Sequence, residues 1–245
     1  MLEKFINLID QSQNIVIFTG AGMSTDSGVP DFRTPNGVWS RYAPIDFNDF
    51  LSSQEMRDET WRRKIKLDAE IGIPEPNSGH FKIAELVNLG KVRQVITQNI
   101  DNLHQASGIA SDQVVELHGN GTYAACLSCG AQYALDKVKK RFVDTGTAPE
   151  CEACGGYIKS ATISFGQPMP EEPMRKALEA SQNCDLFIAI GSSLVVSPAN
   201  QFPLIAKHTG AQLIILNRDE TPLDDQADLV LHLGISETLS QLEYA

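Results

Sequence analysis

Residues 15–28, IVIFTGAGMSTDSG, run four apolar residues into a turn with glycine at 20, 22 and 28. A short, unbroken run of β-branched and aromatic residues is what a strand buried on both faces requires, because parallel strands carry helices above and below. Comparable runs recur at 92–97, 114–117, 186–190, 213–217 and 229–233. Between them lie helix-length patterns at 80–89, 170–182 and 198–209; the first and last are followed by Gly90 and Gly210, and the second and third open on Pro170 and Pro198. Proline at the start and glycine past the end is the expected asymmetry of helix termini. This alternation predicts an α/β fold with a doubly wound, Rossmann-like parallel sheet.

Two stretches break the alternation. Residues 34–77 are polar and charged, with Trp39, Tyr42, Phe47, Phe50 and Trp61 spaced through them, and read as a helical insertion. Residues 121–160 hold four of the five cysteines. The expected organisation is a large domain from 1–33, 78–120 and 161–245, and a small domain that combines the helical insertion 34–77 with a zinc-ribbon-like insertion 121–160. A cleft between the two is the expected ligand site.

The 245 residues are 42% hydrophobic and 21% charged, which suits one globular chain and argues against disorder. Lys and Arg number 20 against 31 Asp and Glu, a formal charge of −11, so a polyanion approaches against repulsion and no direct nucleic-acid contact is expected. No apolar stretch reaches the roughly 18–20 residues that span a bilayer, and a cytoplasmic protein without membrane contact is expected. Cys126-x-x-Cys129 and Cys151-x-x-Cys154, each followed by glycine, can each present two thiolates and close a tetrahedral zinc site. Four sulfur ligands leave no position for a reactive water, so one structural Zn2+ per chain is expected. A redox pair is the alternative. Cys184, alone before a strand, reads as a buried small hydrophobe.

The turn from Gly20 through Ala21, Gly22, Ser24 and Thr25 brings backbone amides where a phosphate can approach them, ahead of a helix N-terminus. Its third glycine departs from the usual dinucleotide spacing, and no Gly-Lys-Ser/Thr follows. Asp31, Phe32 and Arg33 come next: the ring can shield a reactive ribose, and Arg33 can pair with phosphate or with Asp31 to staple the loop. Gln98, Asn99, Ile100 and Asp101 sit at the carboxyl end of a strand, where ligands collect. Asn99 can give and accept hydrogen bonds and Asp101 can accept from a carboxamide; either also reads as a helix cap. His118 ends another strand and can remove a proton near neutral pH. Gly191, Ser192 and Ser193 end one further strand, and Asn217 and Arg218 end the next; capping turns are the plain alternative there.

Taken together, GAGMSTDSGVPDFR, TQNIDNLH, ELHGN, the two CxxC pairs, GSSLVV and ILN resemble the sirtuin family of NAD-dependent protein deacylases, in family order from about residue 15 to residue 235. The resemblance implies removal of an acyl group from protein lysine, transfer of that group to ADP-ribose and release of nicotinamide, with NAD as co-substrate. It implies that Gln98, Asn99, Ile100 and Asp101 line the ribose and nicotinamide pocket, that His118 is the general base, and that Ser192, Ser193 and Asn217 meet the adenosine half, with Ile235 near the adenine. It further implies that an acyl-lysine peptide adds as a β-strand between Ile163-Ser164-Phe165-Gly166 and Leu194-Val195-Val196. Where the family often shows Pro-Asn-x-Val-x-Phe-Gly-Glu, this chain has Ser160-Ala161-Thr162-Ile163-Ser164-Phe165-Gly166-Gln167. That loss of an acid leaves the preferred peptide and acyl chain open. The helical insertion has no Tyr-x-x-Arg pair of the type implied for succinyl and malonyl removal, and Arg62-Arg63-Lys64 reads as a solvated face. His104 is expected to be structural, and His80, His208 and His232 have no catalytic assignment. Protein ADP-ribosylation on the same fold, and a noncatalytic NAD-responsive module, remain the competing functions.

Overall fold

The structure is a computed structural model and describes residues 1–32 and 37–243. Its strands are β1 (Ile15–Thr19), β2 (Val92–Thr97), β3 (Val114–Glu116), β4 (Gly119–Cys126), β5 (Gln132–Ala134), β6 (Ile158–Thr162), β7 (Leu186–Ile190), β8 (Gln212–Leu216) and β9 (Leu229–Leu231). Its helices are α1 (Leu2–Gln11), α2 (Val38–Arg41), α3 (Phe47–Ser52), α4 (Gln54–Ile71), α5 (Ser78–Asn88), α6 (Leu103–Ala106), α7 (Leu135–Thr145), α8 (Glu171–Asn183), α9 (Gln201–His208) and α10 (Ile235–Leu239). Six strands form one parallel sheet in the order β3-β2-β1-β7-β8-β9, the doubly wound arrangement expected.

All five residues of β1 are buried, because the pleat sends alternate side chains into two cores. Ile15 and Ile17 join Phe5 and Ile9 of α1 and Ile83, Leu86 and Val87 of α5. Val16 and Phe18 join Ala177 of α8 and Phe202 and Ala206 of α9 on the other face. Each such large side chain removed from water contributes about 1.5–3 kcal/mol. Cys184 lies in the second core, 8% exposed. Helix α5 starts two residues earlier than its apolar pattern, because the Asn77 side chain accepts from the amides of Gly79 and His80 and caps it. No described helix is long and apolar enough to cross a membrane.

One local expectation fails. The glycine turn leads into a seven-residue 3-10 helix, Ala21–Ser27, rather than an α-helix, and it is stopped by Gly28 at φ 80°. The Gly22 amide donates to Gly191 O at 2.8 Å, which ties the start of this segment sideways to the strand end of β7.

The small domain has an antiparallel sheet, order β5-β4-β6, with α7 packed on it. In chain order its first strand starts at Gly119 and its last ends at Thr162, two residues beyond the span 121–160 at each end. Helix α4, from the first insertion, packs on this sheet and on α7, and α3 packs on α4. Trp61 of α4 is 1% exposed among Ala124, Val138, Phe142 and Ile158, and its Nε1 donates to Ile158 O at 3.2 Å. The Arg57 guanidinium lies 3.9 Å from the centre of the Tyr157 ring. Lys64 does not sit on a solvated face: its ammonium bonds both carboxylate oxygens of Asp68, which also receives Lys139 of α7 at 2.5 Å.

Candidate active site

The carboxyl ends of β1, β2 and β7 open into a cleft of 1320 Å3 whose far wall is the small domain. Glycine is required at two of its corners by close approach. A Cβ on Gly22 would lie 2.8 Å from Gly191 Cα, and one on Gly20 would lie 2.8 Å from Gly191 O. The amides of Gly20 and Gly22 donate to Ile190 O and Gly191 O, at 3.1 and 2.8 Å, so these two amides face the neighbouring strand end and not a phosphate. The glycines thus clamp the turns after β1 and β7 together.

Asn99 is 7% exposed, and its Nδ2 donates to Gly20 O at 3.0 Å and Ser24 Oγ at 3.1 Å. Ser24 Oγ in turn donates to Asp101 Oδ2 at 2.7 Å, while Asp101 Oδ1 accepts from the Leu103 amide at 3.0 Å. Asp101 therefore holds the start of α6 and also lines the cleft. Beneath Asn99, its own amide donates to Thr97 Oγ1 at 3.0 Å, Thr97 Oγ1 meets Thr19 Oγ1 at 2.8 Å, and Thr19 Oγ1 meets His104 Nε2 at 2.9 Å. The His104 ring lies 5.1 Å from that of His80, tilted 59° to it. Burial pushes His104 down to about 3 and His80 down to about 4, so both rings are neutral near neutrality.

His118 lines the cleft half-buried, with Nδ1 3.0 Å from Gln98 O. A carbonyl only accepts, so that bond places the proton of neutral His118 on Nδ1 and leaves Nε2 with the lone pair a base needs. Gln98 Nε2 donates to Ser192 Oγ at 2.8 Å, joining the ends of β2 and β7. Beyond β6, the Ile163 amide bonds His118 O at 2.8 Å, and Gln167 Oε1 accepts from the Ser164 amide at 3.1 Å. Gln167 thus folds back on its own loop.

In the small domain the four paired thiols lie within 4.8 Å of one another, with Cys126 to Cys154 and Cys129 to Cys151 both at 3.6 Å. Tetrahedral zinc with Zn–S near 2.3 Å needs sulfurs about 3.8 Å apart, and the set fits. Matching amide bonds, Gly130 to Cys126 O and Gly155 to Cys151 O, build the two knuckles. Tyr133 OH lies 3.0 Å from Cys151 Sγ.

The cleft gathers, from the residues singled out in the sequence, Gly20, Ala21, Gly22, Thr25, Asp31, Phe32, Gln98, Asn99, Ile100, Asp101, His118, Ile163, Ser164, Phe165, Gly166, Gly191, Ser192, Ser193, Val196, Asn217, Arg218 and Ile235. Ser24 lies behind its wall, 1% exposed, and Val195 stands 50% exposed outside it. Arg33 lies outside the described residues. Sequence reading missed the polar chain Thr19–Thr97–His104 under Asn99; Thr97 and His104 bound the segment TQNIDNLH, but Thr19 reaches them only through the pairing of β1 with β2. It also missed the part of Trp39, which stands between Phe32 and Phe165 with ring centres 5.7 and 5.3 Å away.

The profile of the Sir2 family matches residues 20–198. The chain is 55% identical to NAD-dependent protein deacetylase 1 of Bradyrhizobium diazoefficiens, over 97% of this chain and 93% of that protein. It is 53% identical to the NAD-dependent protein deacetylase of Rhodopseudomonas palustris, over 97% and 94%. Among solved structures it is similar to a Sir2 with p53 peptide and NAD+, at TM-score 0.87 and 35% identity over 99% and 97% of the two chains. It is equally similar to a Sir2 bound to acetylated peptide, at TM-score 0.87 and 33% identity over 99% and 97%.

Proposed function

Because the chain belongs to the Sir2 family, we infer that it is an NAD-dependent protein-lysine deacylase, with deacetylation the first activity to test. The observation that carries this reading is the convergence of Asn99, Asp101 and a His118 with Nδ1 held by Gln98 in one cleft, although they come from separate segments of chain.

Acyl-lysine, NAD and water give free lysine, nicotinamide and O-acyl-ADP-ribose. NAD supplies the ribose that receives the acyl group and the nicotinamide that leaves. Asn99, fixed by Gly20 O and Ser24, and Asp101, fixed by Ser24 and the Leu103 amide, hold the carboxamide of nicotinamide. Phe32 excludes water from the ribose, which protects NAD from hydrolysis. His118 Nε2 takes a proton from a ribose hydroxyl, so that this oxygen can close on the acyl carbon. Ser192, Ser193, Asn217 and Ile235 receive the adenosine half. Ile163 to Gly166 on one side and Val195 and Val196 on the other take the peptide as an added strand, whose main-chain bonds tolerate varied sequence. Zinc, held by Cys126, Cys129, Cys151 and Cys154, braces the small domain that walls the cleft and stays out of the chemistry. Paired thiols disposed for a metal support a reducing, cytoplasmic place of work.

Mass spectrometry of an acetyl-lysine peptide incubated with the protein and NAD tests the reading. The expected products are the deacetylated peptide and O-acetyl-ADP-ribose; a peptide that keeps its acetyl group and gains ADP-ribose would instead establish the transferase.

A further inference from the structure

Three aromatic rings from three separate segments stand in a row across the cleft. Phe32 follows the glycine turn, Trp39 belongs to α2, and Phe165 lies in the loop after β6; the rings are tilted 53° and 61° to their neighbours. The backbone repeats the same connection. The Trp39 amide donates to Phe32 O at 3.1 Å, the Val38 amide donates to Asp31 O at 2.9 Å, and the Phe47 amide donates to Phe165 O at 2.8 Å. The helical insertion therefore grips the cofactor-side loop and the peptide-side loop at once. Phe165 is 49% exposed on the peptide side, so an arriving strand covers it and restricts its ring.

Resting on the deacylase reading, we propose that Trp39 is a positioning residue that couples occupancy of the peptide groove to the placement of Phe32 beside the ribose. Tilted aromatic pairs favour a narrow set of geometries, so fixing Phe165 fixes Trp39, and Trp39 in turn fixes Phe32. The two substrates then assist each other's binding by one shared factor.

Titration calorimetry of ADP-ribose, with and without saturating acetyl-lysine peptide, reads that factor without turnover, since ADP-ribose has no nicotinamide to lose. In the wild type the peptide should tighten ADP-ribose about tenfold, within the usual range of such couplings, and ADP-ribose should tighten the peptide equally. Trp39→Ala and Phe165→Ala should each reduce the factor to about one, and Trp39→Phe should restore most of it. A merely structural role would weaken each ligand alone and leave the factor intact. The chain has only two tryptophans, and Trp61 is buried in the zinc domain, so peptide alone should shift the emission of the wild type and leave Trp39→Phe unchanged. Coupling that survives in Trp39→Ala, or wild type that binds both ligands independently, overturns the proposal while sparing the deacylase reading. Wild type that fails to bind ADP-ribose at all overturns both.

Discussion

The imidazole Nδ1 of His118 sits 3.0 Å from the main-chain oxygen of Gln98, and this single bond decides which nitrogen of the ring is basic. Replacing His118 with alanine removes the base without opening the core, because the ring is only half-buried. Turnover should fall by about 10²–10⁴, the usual range for general-base catalysis, while the melting temperature stays within about two degrees. Steady-state kinetics beside a thermal melt checks this; equal losses in both would point to a structural role.

Removing the metal should act in the opposite manner. Cys151→Ser leaves three thiolates at a site whose sulfurs stand at zinc spacing. Zinc content, melting temperature and turnover should fall together, and activity should follow metal content across a chelator titration. Full activity and an unchanged melt in a metal-free protein would remove zinc from the account.

Gly22→Ala is expected to be far more harmful than its one methyl suggests. The added Cβ would meet backbone atoms of Gly191 at 2.8 and 2.9 Å, and no flexible side chain is there to yield. The turns after β1 and β7 must part, so NAD affinity and stability should both drop. Gly146→Ala, at a positive φ of 71° but with open space around it, should cost only the strain of its backbone and leave NAD binding alone.

The neutral pair His80 and His104 gives stability a definite pH dependence. Their folded pKa values, about 4 and about 3, lie below the ordinary 6.5, so the unfolded chain takes up protons first as pH falls. Stability is therefore full above about 6.5, declines as pH drops towards 4, and each unit of difference is worth about 1.4 kcal/mol. Denaturant midpoints between pH 7 and pH 4 should show the decline, and His104→Gln should flatten it even if its overall stability is lower. Identical slopes in His104→Gln and wild type would locate the effect elsewhere.

Periodicity in the sequence was enough to read the strands of the large sheet, since residues such as Ile15 to Phe18 must be apolar when both faces of β1 are covered. The cysteine spacing likewise carried its own geometry. What stayed hidden depends on side chains distant in sequence. Trp39 reads only as an aromatic in an insertion until Phe32 and Phe165 are seen against it. Thr19, Thr97 and His104 gain meaning only when parallel pairing puts Thr19 beside Thr97. The glycine turn was read as a phosphate cradle, whereas two of its amides are taken by the end of β7, a partner some 170 residues away.

The bond between Trp61 and Ile158 joins positions 97 residues apart, and this sets an order on synthesis. A nascent chain that has released α4 from the ribosome still lacks β6, so the indole has nothing to cover it until the second insertion emerges. In a Trp39→Phe background, fragments that end before residue 121 should show Trp61 emission typical of water, and those that include the whole second insertion a blue-shifted band. Chaperone capture should be concentrated in that interval of elongation.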